Sequence, residues 1–406
     1  MTLSEVTLPA SDPAPPLTTR AAQLQAVLAA DRRHHLAFPG ATDLTYPDLA
    51  AVLSSQLLNN VGDPFEPGHG RNHTKDYEID VVRRLGVLFG GHREQVWGYV
   101  ASGATEGTVH AVDEAATALP GLVVYASTAA HYSVAKAARL VRAPLVAVPA
   151  DAHGRMRLDA LRMQLMRFRD RPAAIVATVG TTETEAADDV AGIAGLCDHL
   201  GVTRRRIHVD AALAGVPRAL LPAHQQPPFG FAAGATSVVV SGHKFLSTLM
   251  PCAVLLYPRR PVTAGTPVSY IGAADTTIAG SRNGHTPLLL WWSLTTAGGL
   301  DKHRARADAA RRLAADTYER LRRIGWRARW QPPAFTVTLT QPAGRLARPW
   351  VLGGDQHTGR IICMPGLEAA WVGEFLDDLR AAALARTVVP MPRPAGNTSG
   401  EQGCLS

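Results

Sequence analysis

Lys244 stands in the run Ser241-Gly242-His243-Lys244, directly after an apolar stretch at residues 236–240, and it is one of only four lysines in the chain, with Lys75, Lys136 and Lys302, against 37 arginines. Arginine cannot shed its proton near neutral pH, so a lysine kept at the end of an apolar run points to an amine that acts as a nucleophile, for example by forming a Schiff base with a carbonyl compound. For this residue alone, a merely solvated strand-end lysine is the competing reading. Earlier in the chain, Ile207-His208-Val209-Asp210-Ala211-Ala212 ends another apolar run in an acid. An aspartate so placed can keep a pyridine nitrogen protonated, and amine and acid together fit pyridoxal phosphate, a cofactor that needs both.

Other polar residues recur at the ends of apolar runs. Residues 98–108 read Gly-Tyr-Val-Ala-Ser-Gly-Ala-Thr-Glu-Gly-Thr, a strand followed by small residues and a helix start. Backbone amides at a helix N-terminus, here around Ala104 with the Thr105 hydroxyl beside them, can cradle a phosphate, and Ser241 and His243 could add to it. The spacing is neither a P-loop nor a dinucleotide fingerprint, and an ordinary strand-to-helix turn fits as well. His131, between an apolar run and a helix start, could stack on a cofactor ring or be structural. Thr181 and Thr182 could face a ligand or cap the next segment. Each signal is modest alone, but one ligand could touch them all if successive strands end side by side.

The elements that must hold these residues follow from the hydrophobic pattern. A helix capped by Thr19 is expected to about residue 33, and another over 46–58. Helices are expected over 77–89, 106–119, 133–140, 158–167 and 190–200, alternating with strands over 96–101, 123–126, 145–148, 174–179, 207–210, 237–241 and 253–257. That alternation predicts an α/β unit with a mainly parallel sheet and its ligand site at the strand ends. Residues 286–300 read as a long linking helix. Beyond it a charged helix over 304–324, strands over 335–340 and 361–364, and a helix over 369–384 make a smaller α+β unit. The expected organisation is a disordered 1–18, an N-terminal arm over 19–75, the α/β domain over 76–302, the small domain over 303–389 and a disordered tail over 390–406.

Composition narrows the function classes. With 406 residues, 46% hydrophobic and 18% charged, the chain is globular and long enough for one large and one smaller core. The formal charge of +7 raises a nucleic-acid-binding module as an alternative, but the arginines are scattered and no basic stripe with interleaved aromatics occurs. Cys197, Cys252, Cys363 and Cys404 are too widely spaced for a metal pattern, so no metal site and reduced thiols are expected. Cys404 sits one place short of a prenylation box. No apolar run reaches a membrane span and no signal sequence is evident, so a cytoplasmic enzyme is expected.

The runs AHYSVAKAARLVR, GTTETEAADDV, HVDAALAG, SGHKFLSTLMPC and TTIAGSRNGHTPLLLWW resemble those of the pyridoxal-phosphate-dependent group II amino-acid decarboxylases, in the branch that contains bacterial histidine decarboxylase and plant serine decarboxylase. The resemblance covers roughly residues 36–380, in order. It implies a fold-type I homodimer with active sites at the subunit interface, acting on a small-molecule L-amino acid substrate. By motif match it makes Lys244 the Schiff-base lysine, Asp210 the partner of the pyridine nitrogen and His131 the ring-stacking residue. Ala104, Thr105, Ser241 and His243 would hold the phosphate, with Thr182 and Ala212 beside the cofactor. Tyr270, in a segment over 269–280 expected to be mobile, would protonate the substrate. Two departures stand out. After Asn59-Asn60-Val61-Gly62-Asp63-Pro64, the stretch holding His69, Gly70, Asn72 and His73 has glycine where histidine and serine decarboxylases carry an aromatic pocket residue, and it is closer to members acting on methionine, valine or leucine. Ser247-Thr248-Leu249 replaces the usual Gly-Ser-Pro after the lysine. The expected function is decarboxylation of an aliphatic L-amino acid to a primary amine, with histidine decarboxylation, transamination or oxidative deamination as alternatives.

Overall fold

The computed structural model describes residues 17–225, 228–262, 265–296, 298–342 and 346–387. The stretches 1–16 and 388–406, which hold nearly all of the residues expected to be disordered, and Cys404 lie outside the described residues.

Helix α1 (Leu17–His34) is already helical ahead of Thr19, which therefore does not cap it; none of its described residues is buried. Helix α2 (Ala50–Ser55), preceded by a 3-10 turn at Pro47–Leu49, is shorter than the expected 46–58. Its C-cap Gln56 is already extended, because the chain must straighten into β1 (Asn59–Val61). Then follow α3 (Lys75–Leu88), β2 (Trp97–Ala101), α4 (Ala104–Ala118), β3 (Val123–Ser127), α5 (Ser133–Leu140), β4 (Leu145–Val148), α6 (Leu158–Arg167), β5 (Ala173–Thr178), α7 (Val190–His199), β6 (Arg205–Asp210), α8 (Gly215–Ala219), β7 (Ser237–Ser241) and β8 (Ala253–Tyr257).

Strands β2 to β8 form one sheet in the order β2-β8-β7-β6-β5-β3-β4. Its neighbours from β7 through β4 pair parallel, and β8 runs antiparallel to both β7 and β2. Most of these strands are buried along their whole length, so they read as continuous apolar runs without alternation, the signature of a sheet covered on both faces. Parallel pairing brings the C-terminal residues of β3, β5, β6 and β7, namely Ser127, Thr178, Asp210 and Ser241, to one edge.

The segment expected to be mobile is partly a hairpin. β9 (Thr266–Val268) pairs antiparallel with β10 (Ala273–Asp275), and β11 (Ser281–Asn283) pairs antiparallel with β1 in a separate two-stranded sheet. The linking helix expected over 286–300 is also broken. α9 (His285–Thr295) ends in extended Thr296, and α10 (Gly299–Arg323) starts at Gly299 with Gly298 as its N-cap, both left-handed (φ 54° and 92°). Two glycines in that conformation end one helix and re-aim the next. The expected boundary at 302/303 thus falls inside α10. β12 (Ala328–Arg329), β13 (Thr336–Thr340), β14 (Gly353–Gly354) and β15 (Thr358–Ile362) form an antiparallel sheet in the order β12-β13-β15-β14, followed by α11 (Ala369–Thr387). One continuous apolar core joins the two sheets, running from Ile207 and Val209 through Ala307, Ala310 and Ala314 of α10 to Phe335 and Val337. Among the described residues no helix is long and apolar enough to cross a membrane.

Candidate active site

Asp210 ends β6 with only 5% of its surface exposed, and its Oδ1 accepts a hydrogen bond from the Ala212 amide at 3.2 Å. The next strand is locked to the same turn, since the Ser241 amide donates to the Ala212 carbonyl at 3.3 Å. Lys244 follows in the turn after β7. Burial holds its ammonium below the usual lysine value, and the Asp210 carboxylate pulls the other way. His131, after β3, is likewise lowered by burial, raised in turn by Asp210 and lowered further by Lys244. Acid, amine and imidazole therefore share one electrostatic neighbourhood at the ends of β6, β7 and β3, with β5 between β6 and β3. The His131 Nδ1 lies 2.9 Å from the Ser133 hydroxyl and accepts from the Ser133 amide at 3.3 Å, which puts the proton of the neutral ring on Nε2. Burial also lowers His243, whose Nδ1 sits 3.1 Å from the Cys252 amide and 3.0 Å from its carbonyl.

Helix α4 begins where an anion cradle is expected. Its N-cap, Gly103, makes no side-chain capping bond, and a Cβ built there would meet nothing within 4 Å. Glu106 and Gly107 donate back to the Gly103 carbonyl, which leaves the amides of Ala104 and Thr105 without a backbone partner among the described residues. Gly107 lets the helix lie close on the sheet, because a Cβ there would come within 2.6 Å of Val239 on β7. Thr182 is partly buried in the turn after β5.

Sequence reasoning missed the clamp on the lysine turn. Ala41 donates its amide to the Lys244 carbonyl at 2.9 Å, and the Tyr46 hydroxyl donates to the Ser247 carbonyl at 3.0 Å. Ser247 has a left-handed φ of 64°, a conformation that favours glycine, and its hydroxyl donates to the Ala41 carbonyl at 2.9 Å. The departure from Gly-Ser-Pro thus exchanges an unstrained residue for one held by a side-chain bond to the N-terminal arm. The unusual Ser247 was the one signal in the sequence; its partners, some two hundred residues away, gave none.

The remaining expected residues lie elsewhere. His69, Gly70, Asn72 and His73 line a surface depression with Val61, Tyr270 and Ile271 among others, and none of Lys244, Asp210, His131, Ser241 or His243 belongs to it. Tyr270 is 84% exposed at the tip of the β9–β10 hairpin. Hairpin and depression are stitched together. The His69 amide donates to the Ile271 carbonyl at 3.0 Å, Glu66 accepts from the Ala274 amide at 2.7 Å, and His69 Nε2 lies 3.1 Å from the Ser269 carbonyl.

The profile of the Pyridoxal-dependent decarboxylase conserved domain matches residues 107–321. A histidine decarboxylase of Mesorhizobium japonicum is 37% identical over 332 residues, covering 82% of this chain and 89% of that protein. Serine decarboxylase 2 of Oryza sativa subsp. japonica is 32% identical over 353 residues, covering 85% and 74%. The chain belongs to the group II pyridoxal-phosphate decarboxylases. The fold agrees: L-methionine decarboxylase from Streptomyces sp. 590 superimposes with a TM-score of 0.82 at 23% identity, covering 94% of this chain and 98% of that one. Glutamate decarboxylase of Lactobacillus brevis does so with a TM-score of 0.76 at 17% identity, covering 96% and 97%. This decarboxylase is therefore a fold-type I carbon-carbon lyase that uses pyridoxal phosphate on an amino acid. Its strand ends fit that cofactor: uncapped α4 amides suit a phosphate, a buried carboxylate suits a protonated ring nitrogen, and a buried amine with lowered basicity suits a carbonyl.

Proposed function

We propose that this decarboxylase acts on an aliphatic L-amino acid such as methionine, leucine or valine, and that it does so as a homodimer. Pyridoxal phosphate, when bound, supplies the sink for the electron pair left on the α-carbon as carbon dioxide departs. In this reading Lys244 would hold the cofactor carbonyl, helped by burial that favours its neutral amine. Asp210 would keep the proton on the ring nitrogen, and His131 would pack against the ring. The amides of Ala104 and Thr105, with Ser241 and His243, would hold the phosphate, and Thr182 and Ala212 would lie beside the cofactor. Tyr270 delivers a proton to the α-carbon.

The observation that carries the choice of substrate is that the histidines and the lysine lining the depression beside Tyr270 are already engaged by backbone groups, which leaves Asn59, Asn72 and Tyr270 as its other polar lining. His69 is engaged by the Ser269 carbonyl, His73 Nδ1 by the Lys75 amide at 3.4 Å, and Lys75 Nζ by the Glu66 carbonyl at 2.7 Å. Gly70 adds no side chain, and Val61, Pro67 and Ile271 supply apolar surface. An imidazole substrate needs partners for both nitrogens, whereas a thioether or branched chain needs only room. Histidine is the second reading, favoured by the named activity of the Mesorhizobium japonicum relative. An apolar pocket separates such chains by only about 1–3 kcal/mol per methylene, so activity should overlap among methionine, leucine and valine. Measuring kcat/KM for these three, histidine and serine decides between the readings. A clear preference for histidine or serine would remove the aliphatic assignment and leave the decarboxylase chemistry standing.

A further inference from the structure

Tyr132 stands where neither its helix nor the core asks for an aromatic residue. It is the N-cap of α5, a position that favours Ser, Thr, Asp or Asn because a short side-chain oxygen can accept from a free amide, yet its side chain makes no capping bond. It is also 69% exposed, so burial explains it no better. What its ring does meet belongs to the candidate site. The ring centroid lies 4.0 Å from that of His131 with the planes tilted by 39°, and the Lys136 ammonium, one turn further along α5, lies 5.4 Å from the same centroid.

The hydrogen bonds of His131 lie along one edge of its ring. Nδ1 meets the Ser133 hydroxyl at 2.9 Å and the Ser133 amide at 3.3 Å, which fixes where that nitrogen sits and leaves the plane of the ring free to tilt about it. A second ring laid against the imidazole restrains that tilt, because stacked aromatic faces resist both rotation and sliding. Burial first, then Lys244 and Lys136 against the opposing effect of Asp210, lower the imidazole below its usual range, so it meets the phenol as a neutral ring. Lys136, one of only four lysines, is drawn to the face of the phenol in turn. Ammonium, phenol and imidazole make a chain of contacts from the surface of α5 to the turn after β3.

We propose that Tyr132 is a positioning residue of the decarboxylase site: its ring backs the imidazole of His131 and sets the plane of the opposite face, which His131 turns to the cofactor. This rests on the reading that His131 packs against the cofactor ring. In this role Tyr132 touches no reacting atom and acts through His131 alone. An aromatic pair of this kind biases an orientation by about two- to tenfold. The bias shows in cofactor affinity, because an imidazole already aligned loses less freedom when the cofactor arrives. The phenol hydroxyl plays no part, so phenylalanine should serve as well as tyrosine. Serine, a better helix cap with no ring, should not.

Titration of the full-length apo-protein with pyridoxal phosphate, read by the visible circular dichroism of the bound cofactor, tests this without using turnover. Tyr132→Ser should weaken cofactor binding about two- to tenfold and shrink the dichroism band, while the melting temperature of the apo-protein holds or rises. Tyr132→Phe should restore wild-type affinity and dichroism. In a His131→Ala background Tyr132→Ser should change neither, since the ring it would release is gone. Wild-type affinity and dichroism in Tyr132→Ser, beside an impaired His131→Ala, overturn the positioning role and leave His131 in its place. An unimpaired His131→Ala overturns the reading of His131 itself. The positioning role also falls if Tyr132→Phe behaves like Tyr132→Ser, if Tyr132→Ser lowers the apo-protein melting temperature, or if its effect persists without His131. Tyr132 would then act through its hydroxyl, through the fold, or through another partner.

Discussion

Lys244 and Asp210 are coupled by charge, yet they are asked for different things, and substitution separates them. Lys244→Ala removes the one lysine at this site, so the purified protein should lose both turnover and any cofactor linkage that borohydride can trap. Trapping of cofactor on another lysine of that variant would show the assignment to be wrong. Asp210→Ala leaves the α4 amides, Ser241 and His243 intact, so it should retain cofactor while activity falls by several orders of magnitude. The placement of both residues was readable from sequence because Asp210 ends an apolar strand and Lys244 follows one, and strand ends meet in a parallel sheet. Ser247 was only half readable. Its departure was visible at residue level, but its left-handed φ and its bond to Ala41 depend on an arm two hundred residues away. Glu185 was not readable at all, since an acid in the run Thr184-Glu185-Ala186 looks like solvated loop until β13 closes over it.

At the scale of elements, the join between β1, α3, β2 and β11 is held by a buried ion pair. Glu78 and Arg282 are 0% and 5% exposed and bonded to each other; Glu78 also accepts from the Val100 amide and from Asn60, both at 2.7 Å, and Arg282 donates to the Gly62 carbonyl at 3.1 Å. Removing one partner leaves an uncompensated buried charge, so Arg282→Met should cost about 3–5 kcal/mol, and the Glu78→Gln/Arg282→Met pair should recover part of it. Urea unfolding of the holoenzyme followed by fluorescence measures both; a single-variant loss below about 1 kcal/mol would mean that water reaches the pair. Elements like these divide by how local their signals are. The expected limits of α5, α6, β4, β7 and β8 coincide with those observed because apolar runs and flanking Gly, Pro and Ser mark them within a few residues. The β1–β11 pair joins three-residue strands more than two hundred residues apart, and no local pattern encodes that. The α9–α10 break was carried by Gly298-Gly299 but hidden by the continuous apolar run before it.

The whole molecule poses the question of how Tyr270 meets Lys244. Tyr270 stands 84% exposed on a hairpin pinned to the 66–75 loop, and the depression it lines contains none of the strand-end residues. Helix α1 buries no residue, and Leu17, Leu24, Val27 and Leu28 are more than half exposed, which in one isolated chain leaves apolar surface without a cover. The proposed two-fold dimer would account for both features, because an isologous interface over α1 would cover that surface and bring the hairpin of one protomer to the strand ends of its partner. The proposal makes a quantitative forecast for hybrids. Lys244→Ala homodimers should be inactive, and Tyr270→Phe homodimers should form amine slowly while releasing carbonyl by-products that depend on dioxygen as the oxidant. A differently tagged, purified heterodimer of the two holds one site with both mutations and one with neither, so if each site is shared it should regain about half the wild-type rate of amine formation. If Lys244 and Tyr270 of the same chain work together, both sites of the hybrid are damaged and the rate stays at the level of Tyr270→Phe or below, which would return the hairpin to its own protomer's strand ends.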